Sequence, residues 1–263
     1  MTDEAMRIHR ALARAGVASR RKAEELVAAG RVRINEAVAK TGQSVDPARD
    51  VITVDGRRIV MPKAVTWVVL HKPAGVITTA HDPEGRRTVF DLVPPQPGLT
   101  YVGRLDYMTE GVLLLTTDGE AAHRLTHPSA GVERTYVATV RGPVKVAAAA
   151  LRAGVELEDG MVRPEQVDVT EGEQGRTWDL TLTIREGRHR EVRRLCEAVG
   201  LEVLRLVRTS FGPVRLGGLA SGAMRALTGK ELAVLDAIGA DRGTETPATE
   251  LPTRGGRTSG NRR

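Results

Sequence analysis

Tyr101 to Gly119 reads YVGRLDYMTEGVLLLTTDG. Its centre is the short apolar run Val112 to Leu115, bounded before by a glycine and after by the Asp118-Gly119 turn signal. Such a run predicts a buried strand. Ahead of it lie Gly103-Arg104-Leu105-Asp106 and a loop-like Tyr107 to Gly111. A buried strand is a rigid base for a loop that carries function, because packing fixes where the loop begins and ends. Asp106 is the candidate catalytic residue of this loop. Taken alone, an aspartate beside a glycine is also a turn former that bonds its own backbone.

Composition frames the rest. A chain of 263 residues is long enough for one large domain and a small one, with a sizeable core. The single cysteine, Cys196, excludes a disulfide framework and any cysteine-built zinc site. A reducing, cytoplasmic setting is expected. The first residues, Met1-Thr2-Asp3-Glu4, lack a basic-then-apolar signal. No apolar run approaches the roughly 20 residues of a membrane span. A net charge of +6 points to a polyanionic partner, nucleic acid above all, although a basic balance also fits a merely soluble protein. Aromatic residues make up 3% of the chain, which argues against a sheet that reads single strands by stacking.

Upstream of the central stretch, residues 6 to about 62 predict a small unit. Ile8, Leu12 and Ala15 fall at helical spacing before Gly16. Ser19 caps a second helix that buries Ala23, Leu26 and Val27 and ends at Gly30. Arg31 to Ile34 alternates as a strand, and Val51 to Val54, Asp55-Gly56 and Arg57 to Val60 form a hairpin. Arg20, Arg21 and Lys22 occupy the first turn of the second helix. Cations are disfavoured there by about 0.3 to 1 kcal/mol each, since the helix dipole is positive at that end. A docked phosphate would explain the arrangement, because it would meet free backbone N–H groups and three basic side chains together. The alternative is a solvated basic face. Met61-Pro62-Lys63 serves as a linker.

In the larger part, Thr66 to Leu70 predicts a strand that runs into His71-Lys72-Pro73-Ala74-Gly75, and His81 to Pro97 is a polar, proline-rich connection. Glu120 to Thr126 predicts a short helix stopped by Pro128. His123 and His127 have the spacing of a helical metal pair, but no HExxH pattern or third ligand accompanies them. No metal is expected. Strands are predicted at Arg134 to Val140, Met161 to Thr170 and Arg176 to Ile184, the last two joined by Glu171 to Gly175. Pro143 to Ala153 reads as an alanine-rich helix. From Arg188, the stripe Val192, Leu195, Cys196 and Val199 predicts a helix ended by Gly200. At about 100° per residue, Arg190 and Arg194 point away from that stripe and Arg193 lies at its edge. Val203 to Thr209 and Phe211 to Leu216 read as closing strands, and Thr228 to Glu231 is a capping box for a final helix. From 241 onward a disordered, mildly basic tail is expected.

Residues 103–119, GRLD followed by T-E-G, an aliphatic run and T-D-G, closely resemble the signature of bacterial ribosomal RNA pseudouridine synthases of the RsuA/RluB type. The resemblance implies that Asp106 is the single catalytic aspartate. Arg134-Thr135-Tyr136 resembles the family's K/R-x-Y triplet, which implies that Tyr136 packs on the target base. Residues 187–193 resemble its third motif, which implies that Arg193 pairs with the catalytic carboxylate and keeps it ionised and aimed. Arg104 would fill the space left by a flipped uridine. His71-Lys72-Pro73-Ala74-Gly75 is similar to an N-K-P-x-G segment, with His71 in place of asparagine, and His189 likewise replaces an asparagine. The first sixty residues resemble the S4-type RNA-binding domain, on the run R-x-H-R-A-L-A-x-A-G-V-A-S-R-R-x-A-E that begins at Arg7. There Ile34-Asn35-Glu36 stands for the family's Val-Asn-Gly turn.

The fold expected is therefore α+β: an S4-like RNA-binding domain over 1–62, then a mixed, mainly antiparallel sheet with flanking helices over 63–240. The RNA contacts expected are Arg7, Arg20, Arg21, Lys22, Arg33, Lys72, Arg104, Arg188 and Arg190, with Lys72 equally readable as merely solvated. The resemblance implies isomerisation of a uridine in ribosomal RNA, the large subunit favoured, without cofactor, by a monomer acting on ribosomal RNA or a pre-ribosomal particle. Whether Asp106 attacks sugar or base stays open. Two other readings compete. A noncatalytic RNA-binding or assembly factor explains the charge but not the GRLD stretch. A glycosidase would pair Asp106 with Glu110 or Asp118, yet no carboxylate pair at a set separation stands out.

Overall fold

The computed structural model describes residues 5–62, 64–172 and 176–240. The expected tail from 241, Lys63 of the linker, and residues 173–175 of the loop that joins two strands lie outside them.

Residues 6–61 form a small body: β1 (Met6–Arg7), α1 (Ile8–Arg14), α2 (Arg20–Ala28), β2 (Val32–Ile34), β3 (Ala37–Val38), β4 (Ser44–Val45), β5 (Ile52–Val54) and β6 (Arg57–Arg58). Its core is Ile8, Ala11 and Leu12 of α1 against Ala23 and Val27 of α2 and Val32, Ile34 and Ile52 of the sheet β3-β2-β5-β6. The β1–β4 pair was not anticipated, because two-residue strands leave no periodic signal. Ser19 caps α2 by accepting from the Lys22 N–H at 3.3 Å. At the Asn35-Glu36 turn both residues are left-handed, φ 47° and 72°, although Glu36 stands where glycine is easiest. Tertiary bonds hold the turn: the Asn35 amide donates to Asp50 at 2.6 Å and accepts the Val51 N–H at 2.8 Å.

The large body follows with β7 (Trp67–Lys72), β8 (Thr100–Val102), β9 (Thr109–Thr116), α3 (Gly119–Thr126), β10 (Arg134–Arg141), α4 (Val144–Ala153), β11 (Val155–Leu157), β12 (Gly160–Val162), β13 (Gln166–Glu171), β14 (Trp178–Ile184), α5 (Glu191–Ala198), β15 (Glu202–Phe211), β16 (Val214–Arg215), β17 (Met224–Ala226) and α6 (Gly229–Ala240). Among the described residues, nine strands make one mixed sheet in the order β13-β14-β10-β15-β9-β7-β17, with β8 and β16 attached to β9 and β15. The β15–β9 pair is parallel and the other pairs are antiparallel. The central run is covered on both faces. Leu113 and Leu115 join the core beneath α4 and α5, while Val112 and Leu114 join the opposite core beneath α3 and α6. That is why the run is apolar without alternation. Each such leucine contributes about 1.5 to 3 kcal/mol by burial.

Three expectations need correction. Met161 to Thr170 is not one strand: β12 closes a separate hairpin with β11, and β13 begins only at Gln166. The two closing strands are present with other bounds: β15 runs on through Phe211, and the second, β16, is only Val214–Arg215 returning on its end. The third is that α5 starts at Glu191 rather than Arg188, because Arg190 is left-handed at φ 50° and breaks the helical path. The capping box is present, with the Thr228 N–H donating to Glu231 at 2.8 Å and the Glu231 N–H to Thr228 at 3.2 Å.

The two bodies meet at α1. A Cβ on Gly98 would fall 2.4 Å from the Arg14 carbonyl oxygen, so only glycine lets the main chains approach there. Arg10 of α1 also donates to Glu120 in the first turn of α3. No described helix is long and apolar enough to cross a membrane.

Candidate active site

Between β8 and β9 the chain turns at Gly103, φ 68°, and presents Arg104-Leu105-Asp106-Tyr107-Met108. Every carbonyl from Leu105 to Met108 is bonded. The Thr78 hydroxyl donates to the Leu105 carbonyl at 2.9 Å and accepts the Leu105 N–H at 3.3 Å. The Thr109 N–H closes a turn on the Asp106 carbonyl at 3.0 Å, and the Gly75 N–H donates to the Tyr107 carbonyl at 2.9 Å. Asp106 is half-buried, and among the described residues its carboxylate has no hydrogen-bond or ion-pair partner. A rigid backbone thus carries an uncommitted acid. Arg104 beside it is exposed.

Lys72 corrects the sequence reading. Expected to reach RNA or solvent, it is wholly buried at the end of β7, and its ammonium donates to the carbonyls of Pro73 at 3.0 Å, Tyr107 at 3.2 Å and Thr109 at 2.9 Å. Burial lowers its pKa to about 8, opposed by the carboxylates of Asp106 and Glu110 and reinforced by Arg208. It is a brace under the loop. The run His71-Lys72 reads as the end of a strand only once β9 is seen to pair with it, His71 to Val112 and Lys72 to Gly111.

Gly111 is the residue that lets β9 lie parallel to β15. Its φ is 107°, and a Cβ there would sit 2.1 Å from the Arg208 carbonyl oxygen. Arg208 itself is buried, donates from Nε to the Val112 carbonyl at 2.8 Å, and lies over the Phe211 ring at 5.3 Å. Arg134 flanks the same ring at 5.3 Å and donates to the carbonyls of Arg185 and Glu186 at 2.8 and 3.0 Å. Its own burial pushes its pKa down. Sequence reading missed both arginines as buried groups, since nothing local separates a buried arginine from an exposed one. Tyr136 is 9% exposed and belongs to the same core cluster as Leu105 of the loop.

Arg193, on α5, comes to the loop but not to the acid. Its guanidinium donates to the Met108 carbonyl at 3.2 Å, and the expected ion pair with Asp106 is not formed. Arg188, expected on RNA, is instead taken up by protein: it bonds Glu186 at 2.6 Å, Asp159, and the carbonyls of Asp159 and Gly160. Arg190 remains exposed. Cys196 is buried, and desolvation pushes its thiol up to about 12, so it is inert core.

In the small body Arg20, Arg21 and Lys22 are all exposed on the first turn of α2. Arg7 donates to the Gly42 carbonyl and Arg33 to the Glu36 carbonyl at 2.8 Å, and both side chains remain at the surface. The rings of His123 and His127 lie 6.1 Å apart. Among the described residues no three His, Cys, Asp or Glu side chains are placed to hold a metal ion.

Comparison with known proteins places these features. A family model described as RNA pseudouridylate synthase matches residues 66–198, and the S4 domain model matches residues 6–52. The ribosomal large subunit pseudouridine synthase B of Bacillus subtilis is 42% identical over 241 residues, which cover 90% of this chain and 98% of that protein. An uncharacterised RNA pseudouridine synthase of Mycobacterium tuberculosis is 43% identical, over 88% of this chain and 92% of that one. A crystal structure of a pseudouridylate synthase aligns with a TM-score of 0.60 and 28% identity, over 88% of this chain and 99% of that one. With an S4 domain ahead of it and an aspartate-bearing loop between β8 and β9, this chain belongs to the RNA pseudouridylate synthase family.

Proposed function

We propose that this enzyme converts a uridine of large-subunit ribosomal RNA to pseudouridine, with Asp106 as its single catalytic carboxylate, and that it works as a cytoplasmic monomer on ribosomal RNA or a pre-ribosomal particle. The reaction breaks the bond from sugar carbon 1′ to uracil N1, turns the base, and joins carbon 1′ to carbon 5. The carbon 5 hydrogen leaves and N1 gains one, so no oxidant or phosphoryl donor enters. One carboxylate acting as nucleophile or as acid and base is enough for such a step.

The observation that carries this reading is the pinned loop. Asp106 is held by main-chain bonds on both sides while its carboxylate stays uncommitted, which suits a group that must meet substrate without reorganising. Arg193 and the buried Lys72 bring positive charge to the same loop. Tyr136 supplies a flat face for an extracted pyrimidine, and the exposed Arg104 fills the gap left in the RNA, offsetting an unstacking cost of a few kcal/mol. Arg7, Arg20, Arg21, Lys22 and Arg33 of the small body, with Arg190, grip phosphates. The large-subunit target is argued from the Bacillus subtilis relative, whose name states it.

The test uses ribosomal RNA labelled with tritium at uracil carbon 5. Release of tritium with intact RNA is expected. Free uracil would mean a glycosidase, and neither product would mean a binding module.

A further inference from the structure

We infer that Asp159, at the tip of the β11–β12 hairpin, is a positioning residue that sets the direction of Arg193. The inference rests on the place given to Arg193 in the proposed reaction. The hairpin stands apart from the large sheet, pairing Val155 with Val162 and Leu157 with Gly160, and its turn carries Asp159 toward the start of α5. There the carboxylate takes both arms of Arg194, at 2.9 and 2.8 Å. Two parallel bonds between planar groups fix orientation as well as distance. Arg188 reaches the same turn from the other end of the segment, donating to the Asp159 carbonyl at 2.9 Å, the Gly160 carbonyl at 3.1 Å and the Asp159 carboxylate at 3.3 Å.

Residues 188 and 194 are thus both tied to one turn, and the chain between them holds a conformation it would not keep alone. Arg190 is left-handed, and the Glu191 carboxylate accepts the Arg188 N–H at 3.0 Å. A non-glycine residue stays in that region only when its surroundings over-determine it. Arg194 and Arg193 are neighbours about 100° apart around α5. With Arg194 fastened to the hairpin, Arg193 is turned to the catalytic loop, where it meets Met108. Arg194 and Arg188 also hold the Asp159 carboxyl down to about 2, so the clamp stays charged at any pH where the enzyme works.

Asp159→Asn is expected to lower kcat at least about tenfold on tritiated ribosomal RNA while KM stays within about twofold, because the arginine is misdirected and not the RNA grip. Asp159→Glu, which keeps the charge, is expected to regain most of the rate. Combining Asp159→Asn with Arg193→Ala should be no worse than Arg193→Ala alone. Amide hydrogen exchange across 104–109 should quicken in Asp159→Asn with the melting temperature nearly unchanged. An unchanged kcat, a loss confined to KM, or multiplying defects would overturn the inference. Should wild type release no tritium, the functional proposal falls by itself, and the exchange measurement still decides this link: unaltered exchange across the loop would sink it. If Asp159→Asn fails to fold, Arg194→Lys, which keeps the charge and loses the two-armed fork, reads the same connection.

Discussion

Arg20, Arg21 and Lys22 stand exposed on the first turn of α2, whereas Lys72, Arg134 and Arg208 are sealed inside the large body and answer main-chain carbonyls. The same residue types therefore do different work in the two regions. An exposed cation at a helix start gains nothing from the helix dipole, so in the proposed function it serves an outside anion, an effect that fades as salt rises. A buried cation loses its hydration, and carbonyl hydrogen bonds or an aromatic face must offset that cost. In the proposed function, charge in the small body is for capture. In the large body it is for rigidity, and Asp106, whose carboxylate has no hydrogen-bond or ion-pair partner among the described residues, sits on the backbone so stiffened.

The strongest test of that division is Asp106→Asn. It should lower the rate at least about a thousandfold, roughly 4 kcal/mol, with RNA affinity barely changed. Near-normal turnover would end the assignment. Next comes Gly111→Ala, where the added methyl meets the Arg208 carbonyl and a left-handed backbone together. A stability loss of about 3 kcal/mol or more is expected in urea unfolding, and a loss under about 1 kcal/mol would mean that the parallel pair can shift.

Lys72→Met probes the brace. Burial puts the folded-state pKa of Lys72 at about 8, below its ordinary 10.5. Between those values the unfolded chain keeps the proton and the folded chain releases it, so stability due to Lys72 rises with pH across that window. The stability of wild type relative to Lys72→Met should shift in favour of wild type by on the order of 2 to 3 kcal/mol between pH 7.5 and pH 10.5. A flat difference would show that the ammonium is not desolvated. The smallest effect is reserved for the exposed side. Arg20→Ala with Arg21→Ala should lower the log-log salt slope of RNA binding by about one per lost contact and leave kcat at saturating RNA alone. An unchanged slope would remove α2 from the RNA interface.

Much of this was legible from residues in order. Ser19 before a basic turn, Asp55-Gly56 between two short strands and Thr228 to Glu231 before the last helix are local signals, and the structure keeps each of them. The apolar run after Gly111 predicts a buried strand, and β9 is one. The failures share a cause. Helical spacing places the helix start at Arg188 because it does not reveal the left-handed Arg190, and the bonds from Arg188 and Arg194 to the distant Asp159 turn carry no local signal. Lys72 looked like a surface lysine because the carbonyls that receive it come from 107 and 109.

By itself, then, the sequence determined most of the segments that form helices and strands, which loop carries Asp106, and which family signature surrounds it, since these depend on spacing within a few residues. Tertiary structure alone decided which cations are buried, that Arg193 rests on Met108, and that a separate hairpin clamps the start of α5. Burial and long-range hydrogen bonds are properties of residues brought together from 30 or more positions apart, and no local pattern encodes them.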